Sequence, residues 1–239
     1  MVKIKEQKLL TKEEYLKHLP IIKELRPDEL NETSDLFHIE KITKGKYVFE
    51  DGGSCIWIYF VCEGRVKLLT HSSEGRDFIL RMVSKNDIIS DNGILFERNN
   101  ECRYSAKAHE TSVVAKITSS DLMSILEHRP ELFKFYSEII DNHLSESYIS
   151  LRNMAFEKVE RRIARHLIQF AKNTGEKTDY GIKLGVKLSR QEIANLTGTT
   201  IETAIRVMSK YKKQKIVREI EGCIYISDRH KLVLIAEDL

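Results

Sequence analysis

Leu188-Ser189-Arg190-Gln191-Glu192-Ile193-Ala194-Asn195-Leu196-Thr197-Gly198-Thr199-Thr200-Ile201-Glu202-Thr203-Ala204-Ile205-Arg206-Val207-Met208-Ser209-Lys210-Tyr211-Lys212-Lys213 is the stretch on which the reading of this chain turns. Ser189 followed by Glu192 is a capping-box pattern, which starts a helix. Gly198 then supplies a sharp reversal, because only a residue tolerant of positive φ fits there cheaply. Thr199 or Thr200 caps a second helix, with Glu202 in its first turn. On that second helix Ala204, Val207, Met208 and Tyr211 recur at spacings of three and four and form one face. Ile201, Glu202, Ile205, Arg206, Ser209 and Lys210 are left on the outward side, where a recognition helix meets the major groove. A helical hairpin inside a core would need the same caps. It would not need an outward stripe of Glu, Arg and Ile followed at once by Lys210, Lys212, Lys213 and Lys215.

The distribution of charge points the same way. The whole chain of 239 residues carries a net charge of only +3. Residues 1–154 hold 22 Lys and Arg against 25 Asp and Glu, whereas residues 155–239 hold 17 against 11. The positive balance therefore sits with the helix-turn-helix, as phosphate binding requires. The longest apolar run, Ile56 to Cys62, falls far short of the ~20 residues of a membrane span, and no membrane partner is expected. No signal peptide follows the lysine-rich start, so a cytoplasmic location is expected. Cys55, Cys62, Cys102 and Cys223 are scattered without a CxxC pair, which favours buried thiols over a disulfide framework or a metal site.

Three segments follow along the chain. Residues 1–118 form the first, with helical periodicity over 11–36 and short Val, Ile, Tyr and Phe stretches over 20–118. The latter are punctuated at Lys44-Gly45, Asp51-Gly52-Gly53, Glu63-Gly64, Glu74-Gly75, Lys85-Asn86-Asp87 and Asp91-Asn92-Gly93. Many short strands at regular spacing predict an antiparallel, jelly-roll-like β-roll. Residues 119–155 are helical: a short piece from Ser119 to His128, then a long helix with Pro130 in its first turn. In the long helix Phe133, Ser137, Ile140, Leu144, Ser147, Leu151 and Met154 repeat every 3.5 residues, the period of a coiled-coil seam. Beside it run Leu132, Tyr136, Ile139 and His143, suited to packing on the β domain. A homodimer joined through Phe133, Ile140, Leu144, Ser147, Leu151 and Met154 is expected. Residues 156–239 form the third segment. Val159, Ile163, Leu167 and Phe170 mark a helix before the helix-turn-helix, and Ile216–Ile220, Glu221-Gly222 and Cys223–Ile226 read as a β-wing before a terminal helix.

An α+β chain of this order resembles the CRP/FNR superfamily of transcription regulators from about Leu19 to the wing. The residues that carry the resemblance most specifically are Leu188–Ala194 and Glu202–Arg206, with Lys44-Gly45, Glu50-Asp51-Gly52 and Tyr59–Leu68 resembling its β-roll repeats. Asn153-Met154-Ala155-Phe156 looks like its hinge. The resemblance implies a β-roll sensor domain, a dimerisation helix, a winged helix-turn-helix and RNA polymerase as a partner. It gives base reading to Glu202 and Arg206 and a phosphate contact to Arg190. Chemistry agrees: Arg takes guanine O6 and N7 together, and Glu accepts from cytosine N4. Ser209 and Lys210 suit phosphate contacts. Ile201 and Ile205 stand where relatives often carry Arg, Ser or Gly, and an isoleucine in the groove lies against a thymine methyl. A palindromic operator with a G·C pair beside a T is expected.

The sensed signal, an unknown small molecule or redox state, is less defined. Cyclic-nucleotide-binding relatives carry a Gly-Glu pair and an Arg-Ser pair about ten residues later. Here Ser90-Asp91 and Cys102-Arg103 replace them. Arg103, read as lying in a strand, would be one position late and point to the opposite face, so a cyclic nucleotide is disfavoured. Ser147 and Tyr148 match further ligand-contacting positions. Haem is left open, with His71, His109 or His143 as its ligand, whereas an iron–sulfur cluster would want cysteines ahead of Cys55. The alternative to DNA regulation is a ligand-binding module acting on a partner protein. No enzyme is expected, since no phosphate-cradling loop, metal-ligand spacing or nucleophile motif is visible.

Overall fold

The structure, a computed structural model, describes residues 10–23, 25, 33–90 and 101–237. By contact density the chain divides into two compact units. One comprises residues 1–70 and 80–143, the other residues 71–79 and 144–239.

The first unit begins with two short helices, α1 (Lys12–Leu16) and α2 (Pro20–Lys23). Eight strands follow among the described residues: β1 (His38–Ile42), β2 (Tyr47–Phe49), β3 (Trp57–Glu63), β4 (Arg65–His71), β5 (Asp77–Ser84), β6 (Ile88–Ile89), β7 (Ser105–Ala108) and β8 (Ser112–Thr118). They build two four-stranded sheets, in the orders β1-β8-β3-β6 and β2-β7-β4-β5. The pairings given by register are all antiparallel, so the β-roll expected from the strand spacing is the fold observed. Among the described residues the first strand begins at His38, later than residue 20, and Pro20–Lys23 is helical.

β3 is buried along its whole middle because both its faces are covered. Tyr59 and Val61 point into the space between the sheets with Val66, Leu68, Val83 and Ile89. Ile58, Phe60 and Cys62 point the other way, into a second core with Leu16, Leu19, Leu122 and Leu132. That second core is the helical cover of the β1-β8-β3-β6 sheet. The tight turn between β3 and β4 demands glycine: Gly64 has φ +78°, and a Cβ there would come 2.4 Å from Ser112 Oγ.

α3 (Ser119–Glu127) is capped by Thr118, and α4 (Pro130–Phe156) starts on its proline as expected. Leu132 and Tyr136 of α4 are buried, and Ile139 packs against the same core, so the inner row of this helix holds it to the β-roll.

In the second unit α5 (Val159–Thr174) precedes β9 (Glu176–Thr178) and β10 (Gly181–Lys183), then α6 (Arg190–Thr197), α7 (Ile201–Lys213), β11 (Val217–Ile220), β12 (Cys223–Ile226) and α8 (Arg229–Glu237). The expected two-stranded wing is part of a four-stranded sheet, β11-β12-β10-β9. The added hairpin, β9 with β10, attaches through Ile182 opposite Ile226 and Lys183 opposite Tyr225. No helix among the described residues is long and apolar enough to cross a membrane.

Candidate nucleic-acid interface

Local chemistry explains each turn of the helix-turn-helix. Ser189 Oγ accepts from the Glu192 amide, and the Glu192 carboxylate accepts from the Ser189 amide, closing the capping box. Gly198 ends α6 in the left-handed region at φ 58°, with its amide donating to Ala194 O. Of the two threonines, Thr200 is the cap: its Oγ1 accepts from the Thr203 amide. Thr199 lies in the turn and donates its amide to Ala194 O.

α7 is held from behind. Ala204, Val207, Met208 and Tyr211 are buried, as the spacing predicted. Tyr211 is fully buried, and its hydroxyl donates to Glu160 O at 2.7 Å, tying α7 to α5. A buried phenol needs such a partner, since an unmade hydrogen bond there would cost about 1–3 kcal/mol. Behind α6, Arg162 Nε donates to Thr197 O, satisfying a carbonyl that the helix end leaves open.

The outward face carries the candidate reading groups. Glu202, Ile205, Arg206, Ser209 and Lys210 are exposed and Ile201 is half-buried. Glu202 and Arg206 stand one turn apart. The Glu202 carboxylate accepts hydrogen bonds from its own amide and from the Thr200 hydroxyl, which hold it below the usual carboxylate range and keep it an acceptor. Arg206 meets only Thr203 Oγ1, at 3.4 Å, and no carboxylate lies within ion-pair distance of it among the described residues. Its guanidinium is therefore available to a base edge. Ile205 is 45% exposed, an apolar side chain presented to solvent beside two charges.

The candidate phosphate contacts are more engaged than the sequence suggests. Arg190 donates to Glu219 on β11, and Lys212 donates to the same carboxylate at 3.2 Å. Burial alone would raise the Glu219 pKa, but the bonds and charges of Arg190 and Lys212 outweigh it and lower it. This acid thus fastens the wing to both helices, a role the sequence reading missed. Lys210 pairs with Glu160 at 2.8 Å. Ser209, Lys213 and Lys215 are exposed on the same side chain run.

Several large apolar side chains of α4 are exposed. Leu144 is 43% and Leu151 67% exposed, Phe133 42%, and Phe156 at the helix end 84%. Ser147 and Tyr148 are exposed in the second unit. Ile140 packs partly on the core of the first unit, and the Met154 methyl lies close to Gly198. These two residues already have neighbours in their own chain.

Of the candidate effector residues in the first unit, Ser90, Cys102 and Arg103 fall among the described residues. Ser90 Oγ bonds the Tyr136 hydroxyl at 3.2 Å, and Ser90 O accepts from Tyr104. Cys102 is buried in the core, its amide donating to Gly53 O. Arg103 is exposed in a bend before β7 rather than in a strand, because the strand begins only at Ser105; the alternation expected for it does not apply. Asp91 lies outside the described residues, as does the turn Asp91-Asn92-Gly93. His71 pairs with Asp77 at 2.8 Å, His109 is buried, and burial together with Arg81 lowers His143 to about 4. Cys55, Cys62 and Cys102 are buried and in no disulfide among the described residues, and burial pushes Cys62 up to about 11.

A β-roll joined to a capped helix-turn-helix with a wing is the build of an effector-responsive, DNA-binding transcription regulator. Comparison with known proteins agrees. Residues 39–129 match the family model of the cyclic nucleotide-binding domain, and residues 161–235 that of the Crp-like helix-turn-helix domain. The chain is 26% identical over 180 residues to the cAMP-activated global transcriptional regulator CRP of Salmonella typhimurium, covering 75% of this chain and 85% of that one. It is 25% identical over 214 residues to electron transport regulator A of Shewanella oneidensis, covering 89% and 84%. In fold it resembles FixK2 from Bradyrhizobium japonicum, with a TM-score of 0.73 at 18% identity over 83% of this chain and 96% of that one. The chain belongs to the CRP/FNR superfamily of transcription regulators.

Proposed function

We propose that two copies of this chain pair along α4 and read a palindromic operator through two α7 helices. The observation that carries the reading is the pair Glu202 and Arg206, exposed one turn apart on a helix whose opposite face is buried. Arg206 takes a guanine bidentately, Glu202 accepts from a cytosine, and Ile201 and Ile205 lie against thymine methyls. Each half-site then keeps a G·C pair beside a T, and the two-fold axis sets the half-sites about 34 Å apart. Ser209, Lys213 and the wing-tethered Arg190 position the helix on phosphates without specifying sequence.

The exposed pair Leu144 and Leu151 supports the dimer, because a monomer would leave these large side chains in water on one helix. A signal received by the β-roll biases the two recognition helices toward or away from groove spacing, to the extent that it binds one arrangement better. RNA polymerase is the partner that membership of the family suggests. Gel-shift titration against a palindrome of this form tests the reading. Binding that weakens steeply with salt and is lost on scrambling one half-site supports it; equal affinity for scrambled duplex overturns it.

A further inference from the structure

A cavity of about 260 Å³ lies in the second unit, and none of the candidate DNA-reading residues lines it. Its walls are the last turns of α4, the middle of α5 and Leu196 of α6, all within the second unit. The volume would hold about nine waters at their liquid share, which is ample for a small molecule. Ile149, Met154 and Leu196 form the apolar part of the wall; Ser150, Arg162 and Arg165 are among the polar groups.

Two observations make this space more than a gap. Asn153 Oδ1 is buried and has no hydrogen-bond partner. Such an acceptor is rare and costs about 1–3 kcal/mol unless something donates to it. In the same lining, Arg162 donates through Nε to Thr197 O and through Nη1 to Glu157 O, both neutral carbonyls. Burial lowers the Arg162 pKa, and Glu157 offsets this only in part. Arg165 gives only its Nε to the Glu157 carboxylate, at 2.8 and 3.1 Å. Arg162 Nη2 and both Arg165 Nη groups therefore keep donors with no protein acceptor among the described residues. Glu146, the acid on the rim, is exposed to solvent. His166 in the wall is neutral at pH 7, since burial lowers it to about 4, so it neither adds to nor opposes the local charge.

We propose that this cavity binds a small organic oxyanion bearing a hydroxyl or amine donor, its anionic group on Arg162 and Arg165 and its donor on Asn153 Oδ1. Guanidinium groups suit carboxylate and phosphate oxygens alike, through paired charge-assisted bonds. Asn153 belongs to α4 and the two arginines to α5, so the ligand ties the helices on either side of the Phe156–Lys158 joint and stiffens it. Glu146, Ile149 and Asn153 lie on the side of α4 away from Leu144, Ser147 and Leu151, so pairing along the seam approaches the cavity only at Met154.

Calorimetric titration of the full chain tests the proposal, with glycerol 3-phosphate and malate as hydroxylated probes and inorganic phosphate and acetate as plain oxyanions. Saturable binding of one hydroxylated probe, one per chain, is expected, with the matching plain oxyanion at least about tenfold weaker. N153L should abolish that preference, and R165Q should weaken every oxyanion by about tenfold. Neither variant touches DNA-reading residues, so probe-free operator binding reports separately on the regulator reading. Absence of binding by both hydroxylated probes at millimolar concentration overturns the proposal. So does saturable binding that N153L leaves unchanged, whether or not R165Q folds.

Discussion

α7 and α4 are both amphipathic helices that present side chains outward, yet they present opposite chemistry. α7 buries Ala204, Val207, Met208 and Tyr211 and turns Glu202 and Arg206 to solvent beside two isoleucines. α4 buries only Leu132 and Tyr136, near its start, and leaves Leu144 and Leu151 uncovered along one face. A charged face is stable in water and waits for a polar partner. An apolar stripe is not, and must be covered by something of its own kind. On the proposed reading, one helix meets a nucleic acid and the other a second copy of itself.

The largest effect should come from breaking the α4 side of that contrast. Placing charges in the stripe, as in L144D with L151D, should separate the dimer and lower operator affinity on the order of 100-fold or more, since two linked half-sites become independent. Sedimentation and gel shift check both parts. A dimer that survives these charges would show that the stripe is not the seam.

Next is the scaffold beneath α7. His166 is lowered from 6.5 to about 4, chiefly by burial. The unfolded chain therefore takes up a proton before the folded one does. This contribution to stability is whole above pH 6.5 and is lost as pH falls toward 4, by about 3 kcal/mol at most. Denaturant melts at pH 7.5 and pH 5 measure it, and H166Q should flatten the profile relative to the native chain.

R206A should cost roughly 1–3 kcal/mol in operator binding and relax preference at one base pair. Equal weakening on all sequences would make Arg206 a phosphate contact and blur the division of labour on α7. The smallest effect is S189A, which removes the capping-box hydroxyl of α6 and should lower stability by about 1 kcal/mol without changing sequence preference.

How much of this was legible in the sequence depended on how local the cause was. The caps at Ser189 and Thr200 and the left-handed Gly198 are decided within a few residues, so the spacing alone exposed them. β3 was legible as the apolar run Ile56 to Cys62 closed by the Glu63-Gly64 turn signal. The hairpin of β9 and β10 was not, because Glu176, Lys177 and Thr178 are all exposed and show no alternation; only pairing with β12 makes them strands. Arg103 was misplaced for a related reason, since nothing local marks Ser105 as the strand start. The link of Arg190 and Lys212 through Glu219 joins residues 29 and 7 positions apart and had no sequence signal.

Selection of bound duplexes from random DNA by the purified full chain, followed by the stoichiometry of the enriched complex, tests the central claim most directly. An inverted repeat should emerge, with a G·C pair beside a T in each half, two chains per duplex, and loss of the G·C preference in R206A. A single unrepeated motif, or no enrichment at all, would contradict it.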